Sequence, residues 1–310
     1  MNICFLFPGQ GAQYPGMGRD LYAESQSVRE LFEIASESSG IDTAKLLFEA
    51  DESELKETKN TQLAITLMNL AVRRFFLDQQ IESSGAAGFS LGEWSAYVDA
   101  GVLGEQDIFP IVLKRGELMA AAAAELGASS AMAAILGLET EAVERAVEGI
   151  EGVFPANYNS PEQTVISGSQ EGVDRGGAAC KEAGAKRVLP LKVSGPFHTP
   201  MMEKAREDFA EYFSSIELAE PRKTLYSNVT GAPIGDSRQL RLRALEQITS
   251  PVRWTAEERS IGEGGYDLLV ECGPGKVLSG LWKKSGQNGS CHGTDKIEAI
   301  QELIEKIKET

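Results

Sequence analysis

The stretch "GAAGFSLGEWSAY", residues 85–97, constrains the fold more tightly than any other part of the chain. A short run of small apolar residues gives way within a few positions to an amphipathic helical pattern. The turn between them, Gly88-Phe89-Ser90-Leu91-Gly92, carries glycine two before and two after a serine, the pattern of a nucleophile elbow. The reason for that pattern is steric. A sharp strand-to-helix turn needs neighbours without a Cβ, and it leaves the serine oxygen exposed at the N-terminus of the helix. Backbone N–H groups there can receive a developing negative charge. Serine between glycines is also an ordinary turn, so the stretch alone leaves both readings open.

The chain has 310 residues, 42% hydrophobic and 25% charged, as in a soluble globular enzyme. That length implies a large domain with a smaller lobe. The apolar run in "MNICFLFPGQG" is far too short for a signal peptide or a membrane span, and no other stretch is long enough to cross a bilayer. The expected location is the cytoplasm, and the expected state a monomer. A formal net charge of −16 argues against nucleic acid or an anionic membrane as partner. An acidic protein partner must dock on a local basic patch. Cys4, Cys180, Cys272 and Cys291 lack CxxC spacing, so neither a disulfide framework nor a metal site is expected. The sequon at Asn228-Val229-Thr230 is read as incidental.

Periodicity gives the order of elements. A buried strand is expected over 3–7, helices over 20–36 and 61–79, then the elbow with a helix over 91–98 and another over 105–126. From residue 129 the pattern becomes strand 131–137, helix 139–150, strands 153–159 and 163–169, helix 170–184 and strand 186–193. That β-α-β-β-α-β order is the ferredoxin-like arrangement, a compact insert of its own. The large-domain pattern then returns, with a helix over 199–215 and strands over 224–229 and 267–272. The polar tail ends in a helix with the stripe Ile297, Ile300, Ile304 and Ile307, read as packing. Two glycine-rich stretches fail as nucleotide motifs. "GQGAQYPG" has Tyr14 where the third glycine must stand, and "GPGKVLSG" lacks the spacing and hydroxyl of a phosphate loop.

A serine nucleophile needs a neutral base near pH 7, and the chain has two histidines, His198 and His292. His292 sits in the polar segment "GQNGSCHGTD" and is read as solvated. His198, in "VSGPFHTPMM", falls between a strand and a helix that Thr199 and Pro200 would cap and open. Sites of α/β folds collect at such sheet edges, and the nearby helix N-terminus disfavours the protonated ring. The alternative is a satisfied loop histidine. No Asp or Glu presents itself as the third member of a triad; a side-chain or backbone carbonyl oxygen can orient the ring instead.

Arg115 is the most informative charge. It lies three and four positions after Val112 and Ile111, and as far before Leu118 and Met119, in the middle of an apolar helical stripe. An unpaired buried guanidinium costs several kcal/mol, and Glu117 points elsewhere. Either a distant Asp or Glu folds over to meet it, or its partner is a ligand. Arginine receives carboxylates through parallel hydrogen bonds, so a substrate with a free carboxylate is one reading and a structural ion pair the other.

Taken together, "FLFPGQGAQYPGMG", "GFSLGEWSAY", "KRGELM", "NYNSPEQTVISG", "VSGPFHTPMM", "QITSPVRW" and "ECGPGKVLSGL" resemble, in order, the malonyl-CoA:acyl-carrier-protein transacylase family, malonyl loaders of fatty acid and polyketide synthesis. The resemblance covers about residues 3–281. It implies an α/β fold: an α/β-hydrolase-like domain over 1–127 and 196–310, interrupted by a ferredoxin-like subdomain over 128–195. It also implies an acyltransferase moving malonyl from malonyl-CoA to acyl carrier protein by a ping-pong route, with malonyl-CoA as substrate and no cofactor. By the same resemblance Ser90 is the acylated nucleophile, His198 its base, and Gln247 supplies the carbonyl that steadies the ring. Gln10 and the Leu91 N–H form the oxyanion hole, Arg115 grips the malonyl carboxylate, and Phe197 is the aromatic of malonyl-selective members. One departure stands out: many members have histidine before the nucleophile, where this chain has Phe89. The rival readings are a serine thioesterase or hydrolase, a polyketide acyltransferase with another extender unit, and a scaffold with a dead site. Lys192, Lys276, Lys283 and Lys284 are the candidate contacts for the carrier protein.

Overall fold

The structure is a computed structural model that describes residues 1–127, 130–191 and 195–309. Its first strand sets the architecture. In β1, Ile3–Phe7, every residue is buried, as the unbroken run ICFLF requires of a strand covered on both faces. The two-residue period divides it: Ile3, Phe5 and Phe7 enter one core, Cys4 and Leu6 the other. The remaining strands are β2 Gly85–Gly88, β3 Ser130–Leu136, β4 Val153–Ser160, β5 Gln163–Ser169, β6 Arg187–Pro190, β7 Thr224–Ser227, β8 Ala232–Pro233, β9 Leu268–Glu271 and β10 Cys291–Gly293.

They form two sheets. The larger runs β10-β9-β1-β2-β7-β8, parallel from β10 to β7, with β8 returning antiparallel on β7. Helices Gln26–Ser39, Thr58–Asp78 and Glu105–Glu125 build the first core, and Trp254 and Trp282 anchor the second. Because β1, β2, β7 and β9 are parallel, their C-terminal ends share one edge. Gly9, Ser90, Asn228 and Cys272 follow there, the edge where open α/β sheets place their sites.

The smaller sheet, β4-β5-β3-β6, is antiparallel throughout and carries helices Thr140–Val147 and Gln170–Glu182. This is the ferredoxin-like order expected from the sequence. It occupies 130–190; at the edges of the expected subdomain, 128–129 and 192–194 lie outside the described residues. The two parts meet where Val252 pairs with β4: Tyr158 N–H donates to Val252 O at 2.9 Å, and Val252 N–H to Ala156 O at 2.9 Å.

Several expectations need correction. The helix expected over 20–36 is two, Arg19–Glu24 and Gln26–Ser39, because Ser25 is extended and its hydroxyl caps the second through Val28 N–H. The helix expected over 199–215 opens with a 3₁₀ turn, Pro200–Met202, capped by Thr199, before Glu203–Phe213. His292, read as lying in a solvated tail, is half-buried on β10, its Nε2 at 2.9 Å from Ser290 Oγ. Helices Thr43–Phe48, Ser237–Glu246, Trp254–Glu263 and Val277–Trp282 went unread. The four cysteines are buried free thiols. Among the described residues, no helix is long and apolar enough to cross a membrane.

The elbow depends on backbone contact. A Cβ on Gly92 would lie 1.9 Å from Phe7 O, and one on Gly88 would lie 2.1 Å from Gly92 C. Helix propensity alone favours alanine at Gly92 by about 1 kcal/mol, whereas overpacking at such a contact costs roughly 1–3 kcal/mol or more. The close approach should win: Gly92→Ala is expected to lower the denaturant midpoint of unfolding. An unchanged or raised midpoint contradicts this packing.

Candidate active site

Ser90 sits at φ 51°, left-handed space that a non-glycine residue enters only under constraint. The constraint is visible. The crossing of Gly88 over Gly92 fixes the turn, and Ser90 N–H donates to Asn228 Oδ1 at 2.6 Å. The turn aims the Ser90 hydroxyl at His198, with Oγ 2.8 Å from Nε2. Leu91 caps the helix Gly92–Asp99. Among the described residues the Leu91 and Gln10 N–H groups donate to no protein acceptor, and both residues line the cavity in front of Ser90. The positions expected to form an oxyanion hole therefore stand together.

His198 also has a positive φ, 61°. Its Nδ1 lies 2.9 Å from Gln247 O, a carbonyl that can only accept, so Nδ1 carries the proton and Nε2 is left to receive one from Ser90. The sequence pointed to a helix N-terminus as the influence keeping this ring neutral. The causes in the structure are different: burial first, then the Arg115 charge, together hold its pKa down at about 4.

Arg115 is 1% exposed. Among the described residues no carboxylate lies within ion-pair distance of it. Its partners are amide oxygens: Nη1 donates to Gln62 Oε1 at 2.9 Å and Nη2 to Gln247 Oε1 at 3.0 Å. Its Nε–H is buried with no partner. Burial pushes its pKa down to about 10, against the pull of Glu93 and Tyr97. Glu93 is linked to it through the Gln247 amide, whose Nε2 donates to Glu93 Oε2 at 2.8 Å. Burial pushes the Glu93 carboxyl up to about 7, opposed by hydrogen bonds from Tyr97, Asn228 and Gln247 and by Arg115.

Ser90, His198, Arg115, Gln10, Leu91 and Phe197 all line one cavity of about 240 Å³. Gln247 stands behind it, holding both His198 and Arg115. Phe89 also lines the cavity and packs edge-on against Trp254, ring centroids 5.5 Å apart. The small sheet contributes Met132, Asn157, Asn159 and Val165. Lys276 and Lys283 cap the helix Val277–Trp282, whose Leu278 and Leu281 line the cavity; both lysines and Lys284 are exposed. Lys192 lies outside the described residues. Sequence reasoning missed Gln62, Glu93 and Asn228. Gln62 left a trace, an amide on a helix otherwise rich in buried apolar residues. Asn228, set aside as an incidental sequon, is fully buried and tied to the elbow.

A serine paired with a neutral, backbone-anchored histidine, beside buried cationic donors, is a site of the acyl-transferring class. The family model for the acyl transferase domain matches residues 4–302. The malonyl CoA-acyl carrier protein transacylase of Bacillus subtilis (strain 168) is 39% identical over 312 residues, covering 99% of this chain and 98% of the relative. The crystal structure of an acyl carrier protein S-malonyltransferase from Vibrio cholerae superposes with TM-score 0.93 at 36% identity, over 98% of this chain and 100% of that one. A malonyl-transacylase solved in complex with its type II PKS acyl-carrier protein superposes with TM-score 0.95 at 36% identity, over 99% and 100%. The chain belongs to the acyl transferase domain family, among the malonyl CoA-acyl carrier protein transacylases.

With two histidines in the chain, the His198 titration is directly observable. NMR of the imidazole carbons, assigned with a His292→Gln variant, should show His198 neutral down to about pH 4. The unfolded chain takes up that proton near pH 6.5, so this group's contribution to stability is lost as pH falls from about 6.5 through 4. A His198 midpoint at 6.5 or above contradicts the buried, cation-flanked setting.

Proposed function

We propose that the protein transfers malonyl from malonyl-CoA to the phosphopantetheine thiol of an acyl carrier protein, through a malonyl ester on Ser90, and so supplies fatty acid synthesis. The observation that carries this reading is Arg115, buried in the cavity with an unpartnered Nε–H and, among the described residues, no carboxylate within ion-pair distance. An acyl group ending in a carboxylate completes that site; a plain acyl chain leaves it incomplete.

The geometry supports the following steps. Malonyl-CoA enters with its carboxylate toward Arg115 and its thioester carbonyl over Ser90. Ser90 Oγ attacks the carbonyl carbon while His198 Nε2, 2.8 Å away, takes the hydroxyl proton. The oxyanion is received by the N–H groups of Leu91 and Gln10. The tetrahedral intermediate collapses, the C–S bond breaks, and His198 returns the proton to the departing thiolate. The carrier's thiol then repeats the sequence on the serine ester, with His198 again as base. The chain's own residues suffice, and the reading includes no metal or resident cofactor. It has the protein act as a cytoplasmic monomer, away from nucleic acid and membranes.

A hydrolase would use the same pair but admit water as second acceptor, and nothing in the arrangement of Arg115 favours it. Intact-protein mass spectrometry separates the two. Malonyl-CoA is expected to load wild-type protein and not Ser90→Ala, and the label should persist until carrier protein is added. Rapid loss of the label in its absence overturns the transferase reading.

Selectivity tests the clamp. Arg115→Ala is expected to cut kcat/KM for malonyl-CoA by roughly 10²–10³-fold, the equivalent of breaking a buried charge pair, and to leave acetyl-CoA unharmed or improved. Equal losses on both substrates remove the clamp role.

A further inference from the structure

One acid of the elbow motif takes no part in these steps. Glu93, in the first turn of Gly92–Asp99, is fully buried. Its Oε1 accepts from the Tyr97 hydroxyl at 2.7 Å, and its Oε2 accepts from Asn228 N–H at 3.0 Å and Gln247 Nε2 at 2.8 Å. In all three contacts a Glu93 oxygen is the acceptor.

Gln247 is the junction. Its main-chain oxygen accepts from His198 Nδ1–H at 2.9 Å, and its Oε1 accepts from Arg115 Nη2 at 3.0 Å. Its two amide ends are nearly alike in shape, so the neighbours decide which one meets Arg115. Around Nε2 stand three oxygens: Glu93 Oε2 at 2.8 Å, Ser90 O at 3.1 Å and Asn228 Oδ1 at 3.5 Å. Asn228 Oδ1 is itself committed, accepting from Ser90 N–H while Nδ2 donates to Gly88 O and Glu257 Oε2. Turned over, the Gln247 amide would set oxygen against three oxygens and an NH₂ against a guanidinium. Glu93 contributes the shortest of these contacts.

We propose that Glu93 is a positioning residue for the acyl clamp: by holding the Gln247 amide nitrogen, it keeps Gln247 Oε1 on Arg115. The inference rests on the malonyl-transfer reading above. With Glu93→Gln the facing group becomes an amide that either donates or accepts, and the Gln247 amide loses its enforced direction.

The test is a double-mutant cycle on the ratio of kcat/KM for malonyl-CoA to that for acetyl-CoA, in wild type, Glu93→Gln, Gln247→Met and the double variant. Gln247→Met keeps the carbonyl on His198 and removes the amide. A merely structural role for Glu93 lowers both substrates in proportion and leaves the ratio still. The expected result is a fall of about tenfold or more in Glu93→Gln, mainly through the malonyl KM, and no further fall when it is added to Gln247→Met. An unchanged ratio in Glu93→Gln, or single effects that multiply in the double variant, overturns the proposal. Should Glu93→Gln not fold, Glu93→Asp still presents an acceptor. It should lower the ratio by a smaller factor, and that effect should vanish in the Gln247→Met background; multiplication overturns the proposal there too. A wild type without preference for malonyl-CoA removes the underlying reading, whereas a wild-type preference that Glu93→Gln leaves undiminished removes this proposal alone.

Discussion

A guanidinium enclosed by protein and given no counter-carboxylate is the constraint on which the site depends. Arg115 is held by two neutral amide oxygens, from Gln62 and Gln247, while its Nε–H faces no acceptor. Amide oxygens satisfy hydrogen bonds without neutralising charge. The protein thus keeps its cation fixed in direction and electrically incomplete. A Glu or Asp in direct contact would stabilise the empty site and compete with an incoming anion. Glu93 stands one amide away, its charge raising the Arg115 pKa and Gln247 bridging the two.

The same cation shapes the base. Burial and the Arg115 charge both favour a neutral imidazole, so His198 needs no carboxylate to be ready near pH 7. A backbone carbonyl fixes its tautomer, and adding an acid there would raise its proton affinity in a cavity meant for a carboxylate-bearing guest. Gln247 joins the two functions, its main chain serving His198 and its side chain serving Arg115. Both strained residues, Ser90 at φ 51° and His198 at φ 61°, are held by parts of the fold that leave little slack. The glycine crossing beneath Ser90 and the Gln247 carbonyl behind His198 supply that restraint.

Much of this was legible because the relevant physics is local. Glycine spacing announced the elbow, helical spacing placed Arg115 in the core, and the β-α-β-β-α-β rhythm gave the smaller sheet. The rest depends on contacts between residues far apart in the chain. Gln62 and Gln247 meet Arg115 from 53 and 132 positions away, and no periodicity in either segment reports the meeting. Asn228 looked incidental because a sequon carries no information about burial; its place at the end of β7 puts it under Ser90. The helix expected over 20–36 was misjudged because apolar spacing continues across Ser25, while the hydroxyl cap that breaks it depends on a single extended residue. The cause of His198's neutrality was misassigned for a similar reason, since the cation beside it comes from a distant helix.

The most direct measurement of the central claim is a crystal structure of the protein after reaction with malonyl-CoA in the absence of carrier. The account predicts an ester on Ser90 whose carboxylate accepts from Arg115, within about 3 Å of Nε and a terminal nitrogen, with Gln62 and Gln247 still in place. An acyl carboxylate pointing to solvent, with Arg115 turned onto Glu93, contradicts it.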